Sequence, residues 1–130
     1  MAISKDLPIL IVDDYKTMLR IVRGLLQQLG FRNIEEATDG ASALAMIKER
    51  PHSYGLIISD WNMQPVTGLD LLKQVRANAQ TAELPFIMVT AEARTENVVA
   101  ARQAGVNNYI IKPFTQAVLK QKISAVLGEF

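Results

Sequence analysis

Four short, mostly apolar runs along the chain each lead into a polar residue. The runs are Leu10–Val12 before Asp13 and Asp14, Leu56–Ser59 before Asp60, Phe86–Val89 before Thr90, and Tyr109–Ile111 before Lys112. Their length and their content of Ile, Leu and Val are typical of strands buried on both faces of a parallel sheet. Stretches with helical spacing lie between the runs, so the pattern predicts alternating strands and helices.

Apolar spacing together with turn signals predicts five strands and five helices. The strands are predicted at Ile9–Val12, Asn33–Ala37, Gly55–Ser59, from Pro85 to Thr90, and at Asn108–Ile111. The helices are predicted at Tyr15–Leu29, Ala41–Glu49, Leu69–Asn78, Glu96–Ala104, and from Thr115 to about Leu127. The boundary signals are stops at Gly30 and Gly105, capping-box spacing at Thr67 and Asp70, and candidate caps at Thr95 and Thr115.

This alternation predicts an α/β fold, in which residues 1–130 form a single domain around a doubly wound, five-stranded parallel sheet. Right-handed crossovers place the helices on both faces of such a sheet. The carboxyl ends of parallel strands share one edge, where ligands bind. We therefore expect the side chains that follow four of the strands to converge on one crevice.

Composition and charge narrow the class of function. A formal net charge of +1 gives no field that favours nucleic acid or a membrane surface. The chain has no cysteine, which excludes disulfides and thiolate metal sites and fits a reducing compartment. No apolar stretch has the length of a signal peptide or of a membrane span. We expect a cytoplasmic monomer that contacts neither nucleic acid nor membrane.

Three aspartates predicted at one crevice indicate a cation site. Close carboxylates resist ionisation unless a cation joins them, because their charges repel. The expected ligands are oxygens from Asp13, Asp14 and Asp60, and this donor set favours Mg²⁺. The alternative is that Asp13 and Asp14 only cap the following helix, as acidic residues commonly do.

Lys112 and Thr90 add the groups that bind phosphate. An ammonium neutralises a phosphoryl oxygen, and a hydroxyl donates a hydrogen bond to another. Pro113 follows Lys112, and an X-Pro bond can form a cis turn that directs the lysine inward. A carboxylate nucleophile, a metal, a lysine and a hydroxyl together are suited to phosphoryl transfer onto an aspartate.

Four segments resemble the receiver domains of response regulators, and specifically the single-domain regulators of chemotaxis. They are Ile11–Asp14, Ile58–Met63, Met88–Ala93 and Ile111–Thr115. The resemblance covers nearly the whole chain and implies a flavodoxin-like fold with strand order 2-1-3-4-5. It also implies that the protein is no enzyme beyond catalysing its own aspartyl phosphorylation and dephosphorylation.

The resemblance implies a role for each matching residue at the crevice. Asp60 accepts the phosphoryl group, and Lys112 and Thr90 hold its oxygens. Asp14, Asp60 and the backbone carbonyl of Asn62 bind Mg²⁺, while Asp13 acts mainly through a bridging water. Asn62 and Glu92 match positions that tune loss of the phosphoryl group.

The resemblance also implies a switch and an output surface. Tyr109 matches the switch aromatic that turns inward when Thr90 moves toward the phosphate. The output surface comprises the fourth helix, fifth strand and fifth helix, including Ala93, Val98, Tyr109 and Lys122. The expected partners are a histidine kinase as donor, the flagellar motor switch as target, and a phosphatase. The chain length leaves no room for a DNA-binding output domain, so we expect output through a protein contact.

One loop departs from the receiver pattern, and three alternative functions remain open. Receivers usually carry proline where this chain has Gln64, with Pro65 following, so we expect a local rearrangement over Met63–Val66. Thr67 stands where the chemotaxis regulators have an acid. The alternatives are a phosphate sink or relay, a haloacid-dehalogenase-like phosphatase, and a flavin-binding module. The phosphatase family spaces its two aspartates one residue apart, and the adjacent carboxylates here would repel a flavin phosphate.

Overall fold

The computed structural model describes residues 3–91 and 95–130, without the side chain of Thr95. The strands are β1 Ile9–Val12, β2 Ile34–Ala37, β3 Leu56–Asp60, β4 Phe86–Thr90 and β5 Asn108–Ile111. The helices are α1 Lys16–Gln28, α2 Gly40–Glu49, α3 Gly68–Ala77, α4 Thr95–Gln103 and α5 Gln116–Leu127. All ten predicted elements are present, with boundaries shifted by one residue or not at all.

The strands form one parallel sheet in the order β2-β1-β3-β4-β5. The predicted doubly wound, flavodoxin-like α/β fold is therefore confirmed. The register pairs Asp60 with Val89 and Thr90 with Ile111, so the strands that carry the predicted site end at the same level. Within the described residues, no helix is long and apolar enough to cross a membrane.

Two apolar clusters cover the two faces of the sheet. Along β1, Ile9 and Ile11 join one cluster, while Leu10 and Val12 join the other. Leu19, Val22 and Leu26 of α1 pack in the first cluster with Leu119 and Ile123 of α5. Ala43 and Ile47 of α2 pack in the second with Leu71, Leu72 and Val75 of α3. A strand with both faces buried explains why the β1 sequence shows a continuous apolar run rather than alternation.

The helix ends follow the predicted capping chemistry in most cases. Thr67 and Asp70 form a complete capping box at α3, and the Thr115 hydroxyl accepts from the Val118 N–H at α5. Gly30 ends α1 with φ 100°, a conformation that favours glycine. The prediction that Thr95 caps α4 stays a prediction, because the helix begins at Thr95 and neither its side chain nor the residue before it is among those described.

Candidate functional site

The three predicted aspartates meet at the carboxyl edge of the sheet. Asp13 and Asp14 directly follow β1, and Asp60 is the last residue of β3. Carboxylate oxygens of all three lie within 4.8 Å of one another. Asp13 and Asp60 are each only 5% exposed, whereas Asp14 is exposed. Such a set of close oxygens fits a hard divalent cation, which Asp13, Asp14 and Asp60 would hold.

Lys112 reaches this carboxylate cluster from the end of β5. Its Nζ donates to Asp60 Oδ1 at 2.9 Å and to Asp13 Oδ2 at 3.5 Å. The Lys112-Pro113 peptide bond is cis, and the Lys112 N–H donates to the Thr90 carbonyl at 2.7 Å. The strand pairing therefore fixes the lysine backbone beside the end of β4, and the side chain extends over β3.

Burial dominates the electrostatics of the cluster. It raises the pKa of Asp60 above its ordinary value, even though the Lys112 hydrogen bond and charge act in the opposite direction. Burial likewise raises the pKa of Asp13, and the Asp60 charge adds to the increase. Burial alone would lower the pKa of Lys112, but its hydrogen bonds and the charges of Asp60 and Asp13 outweigh it, so the pKa is raised. The site thus holds more negative charge than one lysine neutralises.

One carboxylate oxygen of Asp13 supports the start of helix α1, which was the alternative to metal binding. Asp13 Oδ1 accepts from the Tyr15 N–H at 2.9 Å, where Tyr15 is the N-terminal cap residue of α1 and its own side chain makes no capping bond. Asp13 Oδ2 faces Lys112 instead. The same carboxylate therefore supports the start of α1 and contributes to the crevice, a double role that the sequence analysis presented as alternatives.

Thr90 and Tyr109 lie close to the cluster in the sheet. Thr90 is the last residue of β4 and is 1% exposed, while Tyr109 in β5 is half-buried. The Tyr109 ring meets the Trp61 ring edge-on, with 6.5 Å between the ring centroids and 70° between the planes. Trp61 directly follows Asp60, so an aromatic contact links the phosphoacceptor candidate to β5. No feature of the sequence around Trp61 or Tyr109 predicts this contact.

Asn62 lies in the loop between β3 and α3. It is exposed and lines a cleft of about 350 Å³ together with Asp14, Trp61, Gln64 and Thr67. The Gln64-Pro65 peptide bond in this loop is cis. Whether the loop is rearranged relative to other receivers, as predicted from Gln64 and Pro65, stays a prediction.

The candidate output residues are described in part. Val98 on α4 and Tyr109 on β5 line one groove of about 130 Å³. On α5, the Lys122 carbonyl accepts from the Asn108 side-chain amide at 3.3 Å, which ties that helix to β5. The predictions for Glu92 and Ala93 lie outside the described residues.

Comparison with known proteins now identifies the family. The sequence profile of the response regulator receiver domain matches residues 9–124. The chain belongs to this family. It is 49% identical over 124 residues to chemotaxis protein CheY-3 of Vibrio cholerae serotype O1, covering 95% of this chain and 94% of the relative. It is 50% identical over 118 residues to chemotaxis protein CheY of Pseudomonas aeruginosa, covering 91% and 94%.

Solved structures agree with this assignment. The receiver domain of a sensor histidine kinase from Pseudomonas aeruginosa superposes with a TM-score of 0.84 at 27% identity, covering 95% of this chain and 99% of that one. That receiver has a magnesium ion coordinated in its active-site cleft. The chain is thus a CheY-like chemotaxis response regulator with an acidic pocket, and receivers of this type are not conventional enzymes.

Proposed function

We propose that Asp60 accepts a phosphoryl group from the phosphohistidine of a histidine kinase, and that this phosphorylation controls a protein-binding surface. The observation that carries the proposal is the contact between Asp60 Oδ1 and Lys112 Nζ at 2.9 Å, made by residues 52 positions apart. It places a buried carboxylate beside a cation at the edge of the sheet where ligands bind. One carboxylate oxygen of Asp60 would act as the nucleophile.

The proposed reaction is a direct transfer between two side chains. An oxygen of Asp60 forms a bond to phosphorus while the bond between phosphorus and the donor imidazole nitrogen breaks, and that nitrogen keeps the electron pair. The product is an acyl phosphate on Asp60 and a free histidine on the kinase. Lys112 holds one phosphoryl oxygen by its charge, and the Thr90 hydroxyl donates to another.

We propose that Asp14, Asp60 and the Asn62 carbonyl hold Mg²⁺, with Asp13 acting through a bridging water. The donor chemistry fits, because three carboxylates lie within 4.8 Å of one another in a site rich in negative charge. The ion would supply charge neutralisation for the transferring phosphoryl group. The magnesium found in the related receiver supports this assignment.

The proposed change in the protein-binding surface involves β5 and the two helices beside it. When Thr90 shifts toward the phosphoryl group, Tyr109 would turn inward and change the surface formed by α4, β5 and α5, including Val98 and Lys122. Ala93, which lies outside the described residues, would also contribute to partner binding. The likeness to two chemotaxis proteins favours the flagellar motor switch as the target and a cytoplasmic location. A phosphatase would reverse the signal, and Asn62 and Glu92 would tune spontaneous dephosphorylation.

The test is a titration of the whole protein followed through Trp61, the only tryptophan of the chain. Mg²⁺ is added first and acetyl phosphate second, and intact mass is measured at the end. We expect two separate fluorescence changes and one added phosphoryl group. Asp60→Asn should lose the second change and the adduct.

Asp6→Asn is the matched control, because Asp6 is an exposed carboxylate paired with Arg32 away from the site. It should keep both fluorescence changes and the adduct. An adduct that persists in Asp60→Asn, or no adduct in the parent protein, would show that Asp60 is not the acceptor.

A further inference from the structure

The loop from Trp61 to Gly68, which carries Asn62, is closed on itself at its two ends. The Trp61 carbonyl accepts from both the Met63 N–H at 3.1 Å and the Gly68 N–H at 2.9 Å. The Met63 side chain is 1% exposed and packs in the core cluster between the sheet and helices α2 and α3. These contacts fix the base of the loop. These contacts do not fix the segment around Val66, so its position depends on the residues that pack against it.

Helix α2 supplies that contact through a glycine. Gly40, the first residue of α2, is buried, and a Cβ placed on it would lie 2.6 Å from the Val66 carbonyl oxygen. The same Cβ would lie 2.8 Å from Val66 Cγ1 and 2.9 Å from its Cβ. All three distances are shorter than side chains tolerate, and one partner is backbone. Any side chain at residue 40 must therefore displace the loop or the helix.

The start of α2 is itself firmly placed, so the loop is the part that would move. The Asp39 carboxylate caps the helix, accepting from the Ser42 N–H at 2.6 Å and from its hydroxyl at 3.0 Å. Ala43 and Ile47 on the inner face of α2 are buried in the core. The loop, by contrast, exposes Asn62, Gln64 and Pro65 to solvent.

We infer that Gly40 is a positioning residue for the metal site. By letting α2 approach the Val66 backbone, it holds the loop in the position in which Asn62 and Asp14 line the same cleft. This inference rests on the proposed function, because it takes the Asn62 carbonyl as a magnesium ligand. Gly40 contacts neither the metal nor the phosphoryl group and acts only through Val66.

Magnesium affinity, measured by calorimetry on the folded protein, tests this role. Gly40→Ala should raise the Kd for Mg²⁺ by about tenfold, the usual effect of disturbing groups behind the direct ligands. A purely structural role would lower the urea midpoint of unfolding and leave the Kd of the native protein unchanged. Gly24→Ala is the control, because a Cβ at Gly24 in α1 meets nothing within 4 Å and should leave the Kd unchanged.

Val66→Ala gives a second, independent measurement if Gly40→Ala does not fold. It removes the side-chain atoms nearest Gly40, leaves the loop less supported, and should raise the Kd by about threefold. A folded Gly40→Ala with a Kd within twofold of the parent overturns the inference, as does an unchanged Kd in Val66→Ala when Gly40→Ala is unfolded. If the parent protein binds no Mg²⁺ at all, the proposed function itself fails, which is a separate result.

Discussion

The two edges of the sheet each hold a half-buried cation, but they balance its charge differently. At the amino edge, the Arg76 guanidinium donates to the Leu84 carbonyl at 2.6 Å, the Gly105 carbonyl at 3.0 Å and Asn107 Oδ1 at 2.9 Å. At the carboxyl edge, Lys112 faces a cluster of three carboxylates. The first cation donates to three neutral acceptors, with the charge of Glu83 also acting on it, whereas the second neutralises only part of the charge around it.

The difference distinguishes a group that stabilises the fold from the groups that we propose bind the metal and the phosphoryl group. Arg76 ties the end of α3 to the segments preceding β4 and β5, and burial lowers its pKa without leaving an unpaired acceptor. At the carboxyl edge, burial raises the pKa of two aspartates, so their ionised state costs stability at neutral pH. A bound divalent cation would remove that cost.

The largest expected effect is at the amino edge. Arg76→Met removes three charge-assisted hydrogen bonds and should lower the free energy of unfolding by about 3 kcal/mol. Urea denaturation measures it, and Mg²⁺ affinity should not change. Arg32→Met, which breaks an exposed pair with Asp6, should stay within about 0.5 kcal/mol of the parent. Equal losses in the two variants would contradict the importance given to the Arg76 network.

Lys112→Met removes the corresponding cation at the carboxyl edge. Its effect on the free energy of unfolding should be smaller than that of Arg76→Met. Removing the ammonium leaves the carboxylates without a counter-charge and should lower the metal-free stability by about 2 kcal/mol, with residual solvent access limiting the loss. Unlike Arg76→Met, it should tighten Mg²⁺ binding, because the ion no longer competes with a cation. Weaker Mg²⁺ binding in this variant would mean that Lys112 organises the metal site rather than opposing it.

The contrast between the edges also explains what the sequence could predict. The convergence of Asp13, Asp60 and Lys112 at one edge follows from a parallel sheet, because each lies at or just beyond the carboxyl end of a strand. The capping box at Thr67 is local and could be predicted from the spacing. The Arg76 network, the packing of Gly40 on Val66, and the contact between Trp61 and Tyr109 join residues distant in sequence. Ordinary helix, turn and strand residues make them, so no pattern marked them beforehand.

Asp13→Asn should have the opposite sign from the two cation variants. Replacing a buried carboxylate by an amide of similar shape removes the cost of burying a charge and, to a smaller extent, the repulsion from Asp60, and should raise the metal-free stability at neutral pH by about 1 kcal/mol. With saturating Mg²⁺ the advantage should disappear or reverse, because the parent gains more from the ion. Thermal unfolding with and without Mg²⁺ measures both. A variant that is less stable in both conditions would show that the Asp13 bond to the Tyr15 N–H outweighs its charge.

The smallest expected effect is the pH dependence of the stability gain in Asp13→Asn, and it is the effect that depends most directly on charge. The folded pKa of Asp13 lies above the ordinary 3.8, so the folded protein retains a proton over a range where the unfolded chain has lost it. The unfavourable contribution is therefore absent below 3.8 and complete only above the raised pKa. The stability gain of Asp13→Asn should shrink toward zero as the pH falls from about 8 to about 4.

Asp6→Asn should behave oppositely, because Arg32 lowers the pKa of Asp6 and this substitution loses a favourable charge as the pH rises. The deficit of Arg76→Met should depend much less on pH over the same range, because the guanidinium does not titrate there and its three hydrogen-bond acceptors are neutral, although the charge of Glu83 also acts on it. If the gain of Asp13→Asn is equally insensitive to pH, it comes from packing, and the charge imbalance at the carboxyl edge is not what lowers stability there.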